Sequence, residues 1–148
     1  MLGLSQTTGY ATLALACLRD PGGDPVSVRD VAGCTGIGRP YLAKLIQSLA
    51  GAGLVETRRG NKGGVLLARP ASGITVFEIL DAVEGTGALD GCLLGRADCT
   101  DDRACPTHFF WKPMRAEVAE QLSALTLAEV TDFERSAGAL SDCRITRQ

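Results

Sequence analysis

The sequence predicts a mainly α-helical fold with one small β-hairpin: a winged helix-turn-helix followed by a long dimerisation helix. Three observations carry that expectation. Apolar residues recur at spacings of three and four in several segments, the period of helices buried on one face. Gly36 and Gly38 mark a tight turn between two such segments. The residues Gly60-Asn61-Lys62-Gly63-Gly64 then join two short extended runs, which reads as a hairpin loop.

Each element follows from its own residues. Residues 5–18 form a first helix, with Tyr10, Leu13, Ala14 and Cys17 at helical spacing, and Pro21-Gly22-Gly23-Asp24-Pro25 ends it. Ser27 and Asp30 make a capping pattern for a second helix striped by Val28, Val31 and Ala32. Pro40 suits the first turn of a third helix, whose apolar face is Leu42, Leu45, Ile46 and Leu49. Its other face shows Arg39, Ala43, Lys44 and Gln47, and Gly51 and Gly53 stop it. Leu54 to Arg59 and Val65 to Ala68 are the extended runs. Thr75 and Glu78 form a capping box for a helix carrying Val76, Ile79, Leu80 and Val83. A Cys-rich loop follows, and then a long amphipathic segment with Trp111, Met114, Val118, Leu122 and Leu125 on one stripe. Because Pro113 would clash inside a helix running from Pro106, the expectation is a short turn holding His108, a break, and a long helix starting near Pro113. Thr126 and Glu129 cap a last short helix, and the tail beyond Ser136 is expected to be loosely ordered. The regions are 1–85 for the winged helix-turn-helix, 86–108 for the Cys-rich loop and 109–148 for the dimerisation helix and tail, within one compact domain.

The 148 residues are 45% hydrophobic and 22% charged, ordinary values for one globular domain. No apolar run approaches the roughly 18 residues that span a bilayer, and Met1 to Tyr10 carries no Lys or Arg ahead of its apolar stretch, as a secretory signal would. A cytoplasmic protein with no membrane association is the expectation. The net charge of −2 conceals a division: residues 26–69 carry +5, residues 70–148 carry −6 and residues 1–25 carry −1. One contiguous basic stretch in an acidic protein reads either as a face that meets a polyanion or as a solvated basic surface. Its coincidence with the helix-turn-helix and hairpin favours double-stranded DNA. The third helix would enter the major groove with its polar side toward base edges. Arg58, Arg59 and Lys62 of the hairpin would meet phosphates or the minor groove. The stripe of Met114, Val118, Leu122 and Leu125 reads as a homodimer seam, with Trp111 in its core, so the operator would be pseudo-palindromic.

Six cysteines are many for a chain with no export signal, where a cluster binds metal or senses redox state. Cys92, Cys99 and Cys105 fall within fourteen residues, with His108 just beyond. Cys17 and Cys34 read as packed thiols, and Cys143 lies in the tail without a role. An enzyme is not expected: the chain has one His, no arguable Ser/His/Asp set and no phosphate-cradling loop before a helix.

Gly9-Tyr10-Ala11, Gly36-Ile37 before Tyr41-Leu42, Gly53-Leu54-Val55, Arg59-Gly60 with Gly63-Gly64, and Thr126-Leu127 together resemble the Rrf family of bacterial winged-helix transcription regulators, over about residues 4–135. The Cys-x6-Cys-x5-Cys-x2-His loop is similar to that of its iron-sulfur, IscR-like branch. The resemblance implies a homodimeric regulator whose DNA binding is controlled by an iron-sulfur cluster, with Arg39, Tyr41, Lys44, Gln47, Arg58, Arg59 and Lys62 on the DNA side. It also implies Cys92, Cys99, Cys105 and His108 as ligands of a 2Fe–2S cluster. The residue chemistry agrees, since three thiolates and one imidazole fill four terminal positions, two per iron. Another branch takes its fourth ligand from an acid in the first helix of the partner, but Thr7-Thr8-Gly9 offers no carboxylate, so His108 fills that place. Three alternatives stay open on the residues: a closed Cys3His zinc set, a thiol-redox regulator, and an iron-sulfur carrier that would have no use for the wing.

Overall fold

The computed structural model describes residues 5–147. Residues 1–4 and 148, which begin the first expected region and end the last, lie outside the described residues. Six helices and one hairpin follow in order: α1 (Gln6–Ala16), α2 (Val28–Thr35), α3 (Arg39–Gly51), β1 (Val55–Arg58), β2 (Gly64–Leu67), α4 (Val76–Glu84), α5 (His108–Ala124) and α6 (Leu127–Ser136). This is the winged helix-turn-helix of the sequence reading.

α1 is the hub. Ser5 caps it by accepting from the Thr7 N–H, and α1 buries residues on several sides, among them Ala11, Thr12, Ala14, Leu15 and Ala16. It packs against α2, α3, α4 and α6. α2 starts where the Ser27 hydroxyl accepts from the Asp30 N–H, and it ends at Gly36, whose φ of +71° needs a residue without a Cβ. α3 buries Leu42, Leu45, Ile46 and Leu49 against the core, as its spacing predicts.

The hairpin is antiparallel, pairing Val55 with Leu67 and Arg58 with Gly64; β1 is one residue shorter at each end than the run expected, and β2 lies one residue earlier. A third segment joins it, because Val26 and Val65 exchange backbone hydrogen bonds at 2.9 and 2.8 Å just ahead of α2. That pairing explains Gly64, and the tight turn of the hairpin itself explains Gly63. A Cβ on Gly64 would stand 2.5 Å from the Val26 carbonyl oxygen, and one on Gly63 would collide with the Arg58 carbonyl. The hairpin is thus stitched to the entrance of α2.

Both expected capping boxes are present, one on Thr75 and Glu78, the other on Thr126 and Glu129. They lie side by side: the Val76 N–H donates to Leu125 O at 2.9 Å and the Leu127 N–H donates to Ile74 O at 2.8 Å. The starts of α4 and α6 are therefore fastened to each other.

Two expectations are corrected here. Pro113 does not break the helix, since α5 runs continuously from His108 to Ala124 with Pro113 inside it. The first intrahelical bond is Trp111 to Thr107, so Pro113 deletes only the third, and the freed carbonyl belongs to the exposed Phe109. Nor is the tail loose. Leu140 is fully buried, and Cys143 is joined to Cys34 by a disulfide across a separation of 109 residues, with Cα atoms 5.1 Å apart. The Arg19 guanidinium donates to Ile145 O, and the tail closes with a 3-10 turn at Arg144–Arg147. Cys34 is therefore a cross-link rather than a packed thiol, and Cys143 has a structural partner.

No helix among the described residues is long and apolar enough to cross a membrane.

Candidate nucleic-acid interface and Cys-rich loop

The polar side of α3 is fully presented. Arg39, Tyr41, Lys44 and Gln47 are exposed, while the intervening Leu42, Leu45 and Ile46 are buried. Arg58, Arg59 and Lys62 are exposed at and beyond the end of β1. Among the described residues Arg39, Lys44, Arg58, Arg59 and Lys62 have no side-chain partner within the protein. Arg69, from the same basic stretch, is by contrast engaged with Glu78 at 2.5 Å. Five cations are left free to meet an anion. Tyr41 differs: its hydroxyl donates to Thr7 Oγ1 at 3.0 Å and its ring meets Tyr10 edge-on at 6.0 Å, which ties the start of α3 to α1.

The Cys-rich loop between α4 and α5 has little regular structure beyond a 3-10 turn at Asp101–Arg103. α5 fastens it. The Trp111 indole N–H donates to Gly91 O at 2.8 Å, Arg115 donates to Asp90 O at 2.6 Å, and Lys112 Nζ lies 2.8 Å from each carboxylate oxygen of Asp101. Trp111 is buried by this contact. The expected seam-core role of Trp111 is corrected accordingly, because it anchors the loop of its own protomer.

The four expected ligands fall into two neighbouring pairs. Cys99 Sγ is 3.4 Å from His108 Nδ1, and Cys92 lies beside Cys105. His108 is the first residue of α5 and only 2% exposed. Its ring is spent on Cys99 and Asp101 rather than on capping the helix. α5 begins at His108, ahead of the start expected near Pro113. Cys105 therefore precedes the helix, and a turn with the His108 N–H donating to Cys105 O at 2.9 Å links the two pairs. Hydrogen bonding holds the Cys105 thiol below the usual thiol range: first from the Thr107 hydroxyl, then from the Thr107 N–H, with lesser help from Cys92 and the His108 N–H. Lys112 and then His108 likewise hold the Asp101 carboxyl below the usual carboxylate range. Cys17 behaves in the opposite way, burial pushing its thiol up to about 11 against a smaller opposing pull from Arg135.

Among the described residues no three His, Cys, Asp or Glu side chains converge closely enough to hold a metal ion. The donor chemistry nevertheless fits an iron-sulfur unit better than a single ion. Two pairs on one loop suit two irons with two protein ligands each, whereas a tetrahedral zinc ion would need all four donors drawn onto one centre.

α5 buries only His108 and Trp111 among its 17 residues. Met114 and Leu125 are 40% and 37% exposed, and Val118 and Leu122 are half-buried. Phe110, missed in the sequence reading, extends the stripe one turn toward the loop and is 57% exposed. Its i−4 relation to Met114 was the available signal. Asp101 and Lys112 were missed too.

A family model described as iron-dependent transcriptional regulator, Rrf2, matches residues 4–132. The HTH-type transcriptional regulator IscR of Vibrio atlanticus is 36% identical over 106 residues, which cover 72% of this chain and 61% of that protein. The chain thus spans less than two thirds of this relative. Among solved structures, CymR, the global cysteine regulator of B. subtilis, superposes with a TM-score of 0.70 at 26% identity, covering 90% of this chain and 98% of that one. IscR of T. potens gives 0.68 at 28% identity, covering 90% of each. These relatives are transcription regulators, not enzymes. The chain belongs to the Rrf2 family of DNA-binding, winged-helix transcription regulators.

Proposed function

We propose that this chain acts in the cytoplasm as a homodimeric regulator whose binding to a pseudo-palindromic operator is controlled by a 2Fe–2S cluster on Cys92, Cys99, Cys105 and His108. When bound, the cluster supplies a one-electron redox centre that is lost or altered under oxidative, nitrosative or iron-poor conditions. The observation that supports the reading most is the double use of α5. Its first residue, His108, is a ligand candidate, Trp111 and Arg115 grip the ligand loop, and the apolar stripe from Phe110 to Leu125 emerges from the same rod. A change in the loop therefore acts directly on the seam that spaces the two α3 helices. Arg39, Lys44 and Gln47 meet base edges and phosphates, Tyr41 steadies α3, and Arg58, Arg59 and Lys62 extend the contact along the backbone.

The test is anaerobic purification followed by visible spectroscopy, iron and sulfide analysis, and Mössbauer spectroscopy of the oxidised protein. Two irons and two sulfides per chain are expected, with one iron in a nitrogen-containing site and its neighbour in an all-sulfur one. His108→Cys should keep a cluster at lower potential, because a thiolate donates more charge than an imidazole. Colourless protein with one zinc per chain, or a 4Fe–4S spectrum, would refute the reading. Duplex binding must fall steeply with salt and separate regulator from carrier.

A further inference from the structure

The geometry points to Asp101 as the residue that orients His108, so that the imidazole offers Nδ1, and not Nε2, to the cluster. The inference rests on the ligand set proposed above and adds to it a positioning residue and a donor atom. A neutral imidazole carries one N–H and one lone pair, and an ionised carboxylate only accepts. His108 Nε2 lies 2.7 Å from Asp101 Oδ1, which in the neutral ring favours the proton on Nε2 and leaves the lone pair on Nδ1. Nδ1 in turn faces Cys99 Sγ at 3.4 Å, which is the side from which a shared metal centre would be approached. The His108 side chain is 1% exposed, so bulk solvent does not reach the ring.

Asp101 is itself held. Lys112 stands one helical turn after His108 on α5, and its ammonium lies 2.8 Å from both Asp101 oxygens. Lys112, Asp101 and His108 thus make a chain that begins and ends on the same helix and pins the 3-10 turn Asp101–Arg103 between its ends. The loop also carries Asp90, Asp98 and Asp102, but only Asp101 bonds to the ring among the described residues. A carboxylate behind a ligating imidazole fixes its tautomer and makes it a stronger donor, and removing such a partner typically costs about 10–100-fold in metal affinity.

His108 is the only histidine in the chain, so selective 15N labelling at Nδ1 or Nε2 is unambiguous. The 148-residue protein, its cluster reconstituted anaerobically and reduced, should show strong pulsed-EPR coupling from the Nδ1 label alone. Asp101→Ala should lose iron to a chelator about 10–100-fold faster than wild type. Asp101→Asn, which keeps an acceptor oxygen without the charge, should retain the cluster at a raised reduction potential. Strong coupling from the Nε2 label would overturn the inference, as would an Asp101→Asn potential equal to that of wild type. Should Asp101→Ala fail to fold, the asparagine variant and the labelled wild type decide alone. In the apoprotein, 15N shifts should report the Nε2–H tautomer in wild type and a mixture in Asp101→Asn. Wild-type protein that forms no cluster would refute the ligand set, while the apoprotein shifts would still show whether Asp101 holds the ring.

Discussion

The disulfide between Cys34 and Cys143 allows the most quantitative test of the fold. It joins α2 to the residue just ahead of the closing 3-10 turn, across a separation of 109 residues. On the chain-entropy model a loop of that length restricts the unfolded state by about 5 kcal/mol. For a domain near 150 residues each kcal/mol moves the midpoint by about 2–4 °C, so breaking the bond should lower Tm by about 10–20 °C. The perturbation is Cys34→Ser, Cys143→Ser and the double variant, each compared with wild type by thermal unfolding with and without reductant. A shared bond requires the two single variants and the double variant to fall by the same amount, because either substitution removes the whole link. Reductant should lower the wild type to that level and leave the variants unmoved. Intact mass after alkylation under denaturing, non-reducing conditions should show four modified thiols in wild type, namely Cys17, Cys92, Cys99 and Cys105. Six modified thiols, or single-variant effects that add, would refute the link.

Four further outcomes are expected. Arg59→Ala should weaken duplex binding and, for a phosphate contact, flatten the log-affinity against log-salt slope by about 1; unchanged affinity on every duplex would remove the hairpin from the interface. Val118→Glu with Leu122→Glu should yield monomers with poor operator affinity, read by sedimentation, because charge would be buried in the seam; a dimer that persists would place the seam elsewhere. Glu129 is held below the usual carboxylate range, first by the Thr126 hydroxyl and then by its N–H. Its stabilisation is therefore present above the ordinary carboxylate range and lost as pH falls through the depressed value, and Glu129→Gln should flatten that part of the acid-unfolding curve. Cys17, raised from an ordinary 9.0 to about 11, should react last with iodoacetamide in the native protein, and stability should decline more steeply as pH rises from 9 toward 11 in wild type than in Cys17→Ala.

The helices were legible wherever the signal is local. Ser27, Thr75 and Thr126 each announce a cap within three residues, and Leu42, Leu45, Ile46 and Leu49 announce one buried face of α3. Pro113 was misread because its penalty was assigned to a helix interior. The actual cost depends on where the helix starts and whether the freed carbonyl belongs to an exposed residue, and α5 starts at His108 beside the exposed Phe109 and Phe110. The resemblance of the Cys-rich loop to the IscR-like branch implies that Cys92, Cys99, Cys105 and His108 act together, but neither it nor the spacing says which thiol neighbours which partner. The pairing of Cys34 with Cys143 left no trace at all, because two positions 109 residues apart share no motif and meet only once the tail folds back over α2.

Asp101 marks the boundary between these cases. In the sequence it is one of two adjacent aspartates, chemically indistinguishable from Asp102, and nothing in the Cys spacing selects it. The selecting residue is Lys112, whose i+4 relation to His108 places an ammonium one turn along the same helix face. Read together, His108 and Lys112 define a site on α5 for one carboxylate held between a ring N–H and a cation. The loop then has only to deliver an acid there, which the 3-10 turn beginning at Asp101 does. The proposed coupling between loop and seam runs through the same helix. Lys112 and Trp111 face the loop while Phe110 and Met114 face outward from the same two turns of α5. Any rearrangement that releases Asp101 from Lys112 acts on a helix segment whose opposite side is the exposed apolar stripe, so Lys112→Met should alter both cluster retention and dimer affinity, whereas a surface change at Glu120 should alter neither.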